Sequence, residues 1–187
     1  MRHARRLGLA QGNTLIVDNI DDLHLAFDLA IHTAEPGRTR AIDRYAKSLQ
    51  LVPTSDDAVM LEAMCRARFS VVQVERRHEA AGLIVRDMFR NEELWVVDEG
   101  WEISMPKGSV IATRFYAPDR FVMTAGIGVP IDMPLLEDAL DEAPQLLRKS
   151  PQEAPDDRRF AEAIYRVALR DGIMEQVKLQ DVPTEAA

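Results

Sequence analysis

Three side chains capable of metal ligation recur at four-residue spacing in this chain: His24, Asp28 and His32. On an α-helix, at about 100° per residue, they fall within about 80° of one another and stack along one face. Two imidazoles and a carboxylate so placed could hold a divalent cation. The same segment presents Ile20, Leu23, Phe27 and Ile31 on one apolar face and Leu25 with Leu29 on a second. A polar stripe between two such faces needs only hydration, or a pairing of imidazole with carboxylate. No second ligand cluster is evident in the chain, and metal sites usually draw ligands from more than one element. The stripe is therefore expected to be structural, and no cofactor is expected.

A second group of residues is aromatic and charged. Trp95 and Trp101 flank Asp98-Glu99-Gly100, with Phe115 and Tyr116 on a neighbouring strand. Such aromatics either fill the core of a small barrel or form a platform for a peptide or base. Core is the expectation for at least one tryptophan. If the protein holds a small ligand or catalyses a reaction, a pocket between barrel and helices is the place for it. Asp87, Trp95, Trp101 and Arg114 are then the expected lining. Other chemistry is poorly supported. Cys65 sits on an apolar helical face, where cysteine is usually a small hydrophobe. Gly126-Ile-Gly128-Val-Pro130 lacks the Lys-Ser/Thr of a phosphate loop.

The elements that must position these groups follow from periodicity. Residues 69–126 read as consecutive short strands separated by turn residues. Expected strands cover 69–75, 81–87, 93–98, 109–116 and 120–125, with turns at Asp98-Glu99-Gly100, Pro106-Lys107-Gly108 and Pro118-Asp119. Most of these strands are apolar on both faces, so both need cover, and a five-stranded antiparallel barrel provides it.

Helical patterns lie on either side. Asp18 or Asn19 caps a helix over about 20–34, and a second fits 39–49. After Pro53, Thr54 or Ser55 caps a third, with Asp56 and Asp57 in its first turn. Asp132 and Pro134 open a helix that Pro144 kinks or ends. Pro151 and Pro155 suggest a stiff extended linker, and Asp156 or Asp157 starts a last helix stopped by Gly172. The expected fold class is α+β: N-terminal helices over 1–67, the small barrel over 68–131, and C-terminal helices and tail over 132–187, as one compact unit.

Charge bears on partners. Residues 1–90 carry a net +1 and residues 91–187 a net −9. An acidic half repels nucleic acid, so electrostatics gives that partner little support. No run of eighteen apolar residues exists, and no membrane association is expected. One cysteine and no secretory pattern make the cytoplasm the expected location.

The phrases Arg68-Phe-Ser-Val-Val-Gln-Val-Glu-Arg-Arg77, Ala81-Gly-Leu-Ile-Val-Arg-Asp87 and Leu94-Trp-Val-Val-Asp-Glu-Gly100 resemble a family of uncharacterised bacterial proteins. The resemblance covers roughly residues 40–135 and implies a small β-barrel among helices, with no assigned activity. The leading expectation is a cytoplasmic, non-enzymatic interaction module, with self-association through Leu25 and Leu29 as its homodimeric form. An enzyme or small-ligand protein with a pocket between barrel and helices is the alternative, and an RNA-binding barrel is a third. Enzymatic activity is left open.

Overall fold

The computed structural model describes residues 1–17, 19–20, 22–125 and 127–176. The capping candidate Asp18, Gly126 of the glycine-rich segment and the tail beyond Gln176 lie outside the described residues.

Helix α1 (Arg2–Arg6) leads into a short hairpin of β1 (Ala10–Gln11) and β2 (Thr14–Leu15). Helices α2 (Asp22–His32), α3 (Ala41–Ser48) and α4 (Asp56–Cys65) occupy the three expected helical segments. α4 starts as its composition dictates: Ser55 Oγ accepts from the Ala58 amide at 3.2 Å, and Asp56 and Asp57 fill the first turn beside the positive end of the dipole.

The sheet follows. Strands β3 (Arg68–Arg77), β4 (Leu83–Asp87) and β5 (Glu93–Val96) precede helix α5 (Glu99–Ser104). Then come β6 (Val110–Tyr116), β7 (Met123–Thr124) and β8 (Val129–Pro130). The order is β5-β4-β3-β6-β7, with β8 also on β6, and every named pair is antiparallel. The sheet curls into a half-barrel until its edges meet, where Val97 N donates to Val122 O at 2.9 Å and Val122 N to Trp95 O at 2.8 Å. Two features permit the curl. The β3–β4 register shifts between Val74 and Arg76, which bends the ribbon. Gly82, at φ +78°, passes so close to the Val96 carbonyl that any Cβ there would collide with it.

Alternation along β3 divides the interior in two. Val72 and Val74 face the inside of the half-barrel with Leu83, Val85, Val96, Ile111, Phe115 and Trp101. Phe69 and Val71 face outward, into a larger core shared with Leu25 and Leu29 of α2 and with two C-terminal helices, α6 (Met133–Glu142) and α7 (Arg158–Arg170). The strand is apolar on both faces because both are covered. Gly172, at φ +66°, ends α7 ahead of α8 (Ile173–Gln176).

Several local expectations are corrected. Asp98-Glu99-Gly100 is not a tight turn but the start of α5. Asp98 Oδ1 accepts from the Trp101 amide at 3.0 Å, and the helix drives Trp101 into the barrel core. The last expected strand, 120–125, shrinks to Met123–Thr124. The stretch from Pro151 to Pro155 is no extended linker. It ends in a 3-10 turn, Ala154–Asp156, whose Ala154 and Pro155 are buried. Leu25 and Leu29 need no second subunit for cover, being fully buried in the chain's own core; the face of α2 that reaches solvent carries Phe27 and Ile31.

Candidate functional site

Asp28 and His32 lie one turn apart on the buried side of α2. A carboxylate there must be paired or pay heavily for desolvation. Its partner comes from β6. Arg114 alternates with Ile111 and Phe115, so it faces away from the barrel interior and toward α2 and α7. Its Nε donates to Asp28 Oδ1 at 2.7 Å and its Nη2 to Oδ2 at 3.0 Å, a two-pronged pair with both side chains almost wholly buried. Tyr165 of α7, itself fully buried, donates its hydroxyl to Asp28 Oδ2 at 3.1 Å. Phe69, the residue opposite Arg114 in the β3–β6 register, carries the guanidinium over its ring at 5.5 Å and meets Tyr165 edge-on at 5.5 Å.

Burial works against the charge on Arg114, but Asp28 outweighs it and holds the guanidinium more firmly protonated. Burial also drives the Tyr165 hydroxyl well above its usual range, and the adjacent carboxylate adds to this. His32 goes the other way. Burial first, then the charge of Arg114, lowers it to about 4, so the imidazole is neutral at pH 7, and its Nδ1 has no partner among the described residues.

Beside this cluster is a cavity of about 330 Å³ between the sheet and the helices. His32, Phe69 and Arg114 form part of its wall, joined by Arg40 before α3, Arg68 of β3, and the Asp156–Arg158 stretch entering α7. Each arginine is anchored: Arg40 to Asp43 at 2.7 Å, Arg68 to Glu92 at 3.2 Å, and Arg158 to Glu35 at 2.9 Å. Asp157 is held far below the usual carboxylate range, chiefly by hydrogen bonds from Arg159.

The residues singled out from sequence distribute unevenly. Arg114 lines the cavity. Asp87 does not line it; fully buried, it accepts from the Phe89 and Arg90 amides while pairing with the Arg90 side chain at 2.9 Å, and Arg90 in turn reaches Asp156 at 2.6 Å. Trp101 fills the barrel core against Phe115. Trp95 lies on the barrel rim, stacked on His78 at 4.1 Å with its Nε1 donating to Ala81 O. Neither tryptophan reaches the cavity.

Of the stripe on α2, Asp28 gives both oxygens to Arg114 and Tyr165, His32 lines the cavity, and His24 is exposed. Among the described residues no three His, Cys, Asp or Glu side chains are arranged to hold a metal ion. Arg40, Arg68 and Arg158 escaped sequence reasoning as site residues. They stand far apart in the chain, and tertiary packing brings them together: α3 packs on α2 and α4, and the Ala154–Asp156 turn packs on β3 and α7.

The model of a family of unknown function, DUF7986, matches residues 1–178, a longer stretch than the resemblance in the strand segments. No curated protein and no solved structure matches the chain.

Proposed function

The chain belongs to this family of unknown function, which brings no activity with it, and we propose from the geometry that it is a small-ligand-binding protein whose ligand occupies the cavity between half-barrel and helices. One observation carries this reading. Two buried polar side chains from different elements, His32 at 5% exposure and Arg114 at 6%, converge on a concave space of about 330 Å³. That volume lies at the small end of the range for ligand sites, and a few convergent polar groups on a partly apolar wall are their usual make-up. His32 adds a strongly shifted imidazole, as functional sites often do.

A thermal-shift panel of small metabolites tests it. A ligand at about a hundred times its Kd adds about 2.7 kcal/mol, a rise in Tm of about 5–10 °C for a chain of this size. A panel that leaves Tm flat across all chemical classes counts against the reading.

A second reading, a protein partner or self-association, draws support from the outer face of α2. Phe27 and Ile31 stand 55% and 37% exposed there, and Ile20, in the turn just before the helix, stands 73% exposed. For either reading the cytoplasm fits best, because the sole cysteine, Cys65, is free. No helix among the described residues is long and apolar enough to cross a membrane.

A further inference from the structure

We propose that the cavity takes a small molecule bearing an oxyanion, a carboxylate or a phosphate, with Arg114 as its main contact and Asp28 and Tyr165 as the positioning residues that hold Arg114 in place. This rests on the cavity being the binding site, and it names what the site selects.

Unused hydrogen-bonding capacity on the wall points to the ligand's charge. Asp157 is saturated. Its Oδ1 accepts from the Arg159 amide at 3.0 Å and from Arg159 Nε at 2.9 Å, and its Oδ2 accepts from Arg159 Nη2 at 2.7 Å with Lys149 Nζ at 3.4 Å. Asp156 gives Oδ1 to Arg90 at 2.6 Å and keeps Oδ2 outside that bond, on a side chain that is 59% exposed. The arginines are paired but not saturated, since a guanidinium has five N–H donors and a carboxylate fork uses two. Arg114 gives Asp28 its Nε and Nη2, which leaves Nη1 outside the fork. Arg40 gives Nε and Nη2 to Asp43 and the Cys65 carbonyl, and its Nη1 likewise stays outside. Arg68 gives Glu92 only Nη2. The wall therefore holds surplus donors and few spare acceptors, and an acceptor-rich ligand satisfies it where a cation does not.

Position matters as much as charge. Arg114 is long enough to adopt many rotamers, yet here it is gripped by the Asp28 fork on one side and by the Phe69 ring below. Asp28 is itself fixed by the Tyr165 hydroxyl. An anion then meets a guanidinium already in place and loses no affinity to ordering it.

Calorimetric titration of the full chain at low ionic strength tests this with four probes: inorganic phosphate, succinate, choline and glucose. Phosphate or succinate is expected to bind once per chain, and which of the two binds more tightly separates phosphate from carboxylate. Arg68→Gln and Arg158→Gln should each weaken that binding about fivefold or more. Tyr165→Phe should weaken it about fivefold with the circular dichroism spectrum unchanged, a loss that a merely structural tyrosine would not produce. Should Tyr165→Phe fold poorly, the two surface-reaching arginine variants still decide the ligand class. Silence of both anions overturns the inference, as does anion binding that no variant affects. If choline, glucose or another non-anionic compound from the metabolite panel binds instead, the ligand class is wrong while the cavity reading survives. A panel with no hit at all removes the cavity reading itself.

Discussion

Asp28 accepts three hydrogen bonds in a place that excludes water, two from Arg114 and one from Tyr165. Removing its charge strands the Arg114 guanidinium at 6% exposure with no counter-ion. Asp28→Asn is therefore expected to destabilise the protein by about 3–5 kcal/mol, read as a lower midpoint in urea denaturation. A loss below 1 kcal/mol would mean that Arg114 finds water or another partner. Tyr165→Phe deletes one neutral donor, and the expected loss is only about 1 kcal/mol. His32 makes a pH prediction. Its folded value, about 4, lies below the 6.5 of the unfolded chain, so the unfolded state binds the proton more readily. Stability from this group is complete above pH 6.5 and declines as pH falls toward 4, by about 3 kcal/mol over the window. Urea midpoints for His32→Gln between pH 7 and 4 should show a slope shallower than wild type; equal slopes would refute the assignment.

At the level of elements, α2 separates what burial holds from what it does not. Leu25→Ala should cost about 2–5 kcal/mol because the side chain is fully buried between α7 and the sheet, whereas Phe27→Ser should change stability by no more than about 0.5 kcal/mol. Similar urea midpoints for the two would contradict this orientation. The orientation was not legible in sequence, since α2 has apolar residues on both sides and periodicity alone cannot say which side packs inward. The strands read more plainly: the alternation of Phe69 and Val71 against Val72 and Val74 gave both the strand and its two buried faces. Asp98-Glu99-Gly100 misled because the same three residues suit a turn or a helix start, and the choice was made by Trp101, which needs the barrel interior. The hairpin of β1 and β2 carries two residues per strand, too few for any periodicity to register.

The molecule as a whole joins a curled sheet to helices from both ends of the chain, and the cavity exists only where all three segments meet. That is why the site was half legible. Arg114, Asp28 and His32 could be named from residue type and spacing, but their grouping, and the addition of Arg40, Arg68 and Arg158, is a product of tertiary packing. Closure of the half-barrel is itself open to test at Gly82, where both positive φ and the Val96 carbonyl forbid a side chain. Gly82→Ala should lower stability by about 2 kcal/mol or more, measured by thermal unfolding, and a neutral outcome would mean that the edges do not approach as described. Whether this cavity is a binding site is read by amide chemical-shift mapping during titration with whichever compound of the metabolite panel or the four probes binds. Saturable shifts are expected for Thr33, Ala34, Ala67 and Ala161, which surround the cavity, with Trp95 and its neighbours on the barrel rim unmoved. Shifts that fail to saturate, or that cluster away from these residues, would contradict a binding site there.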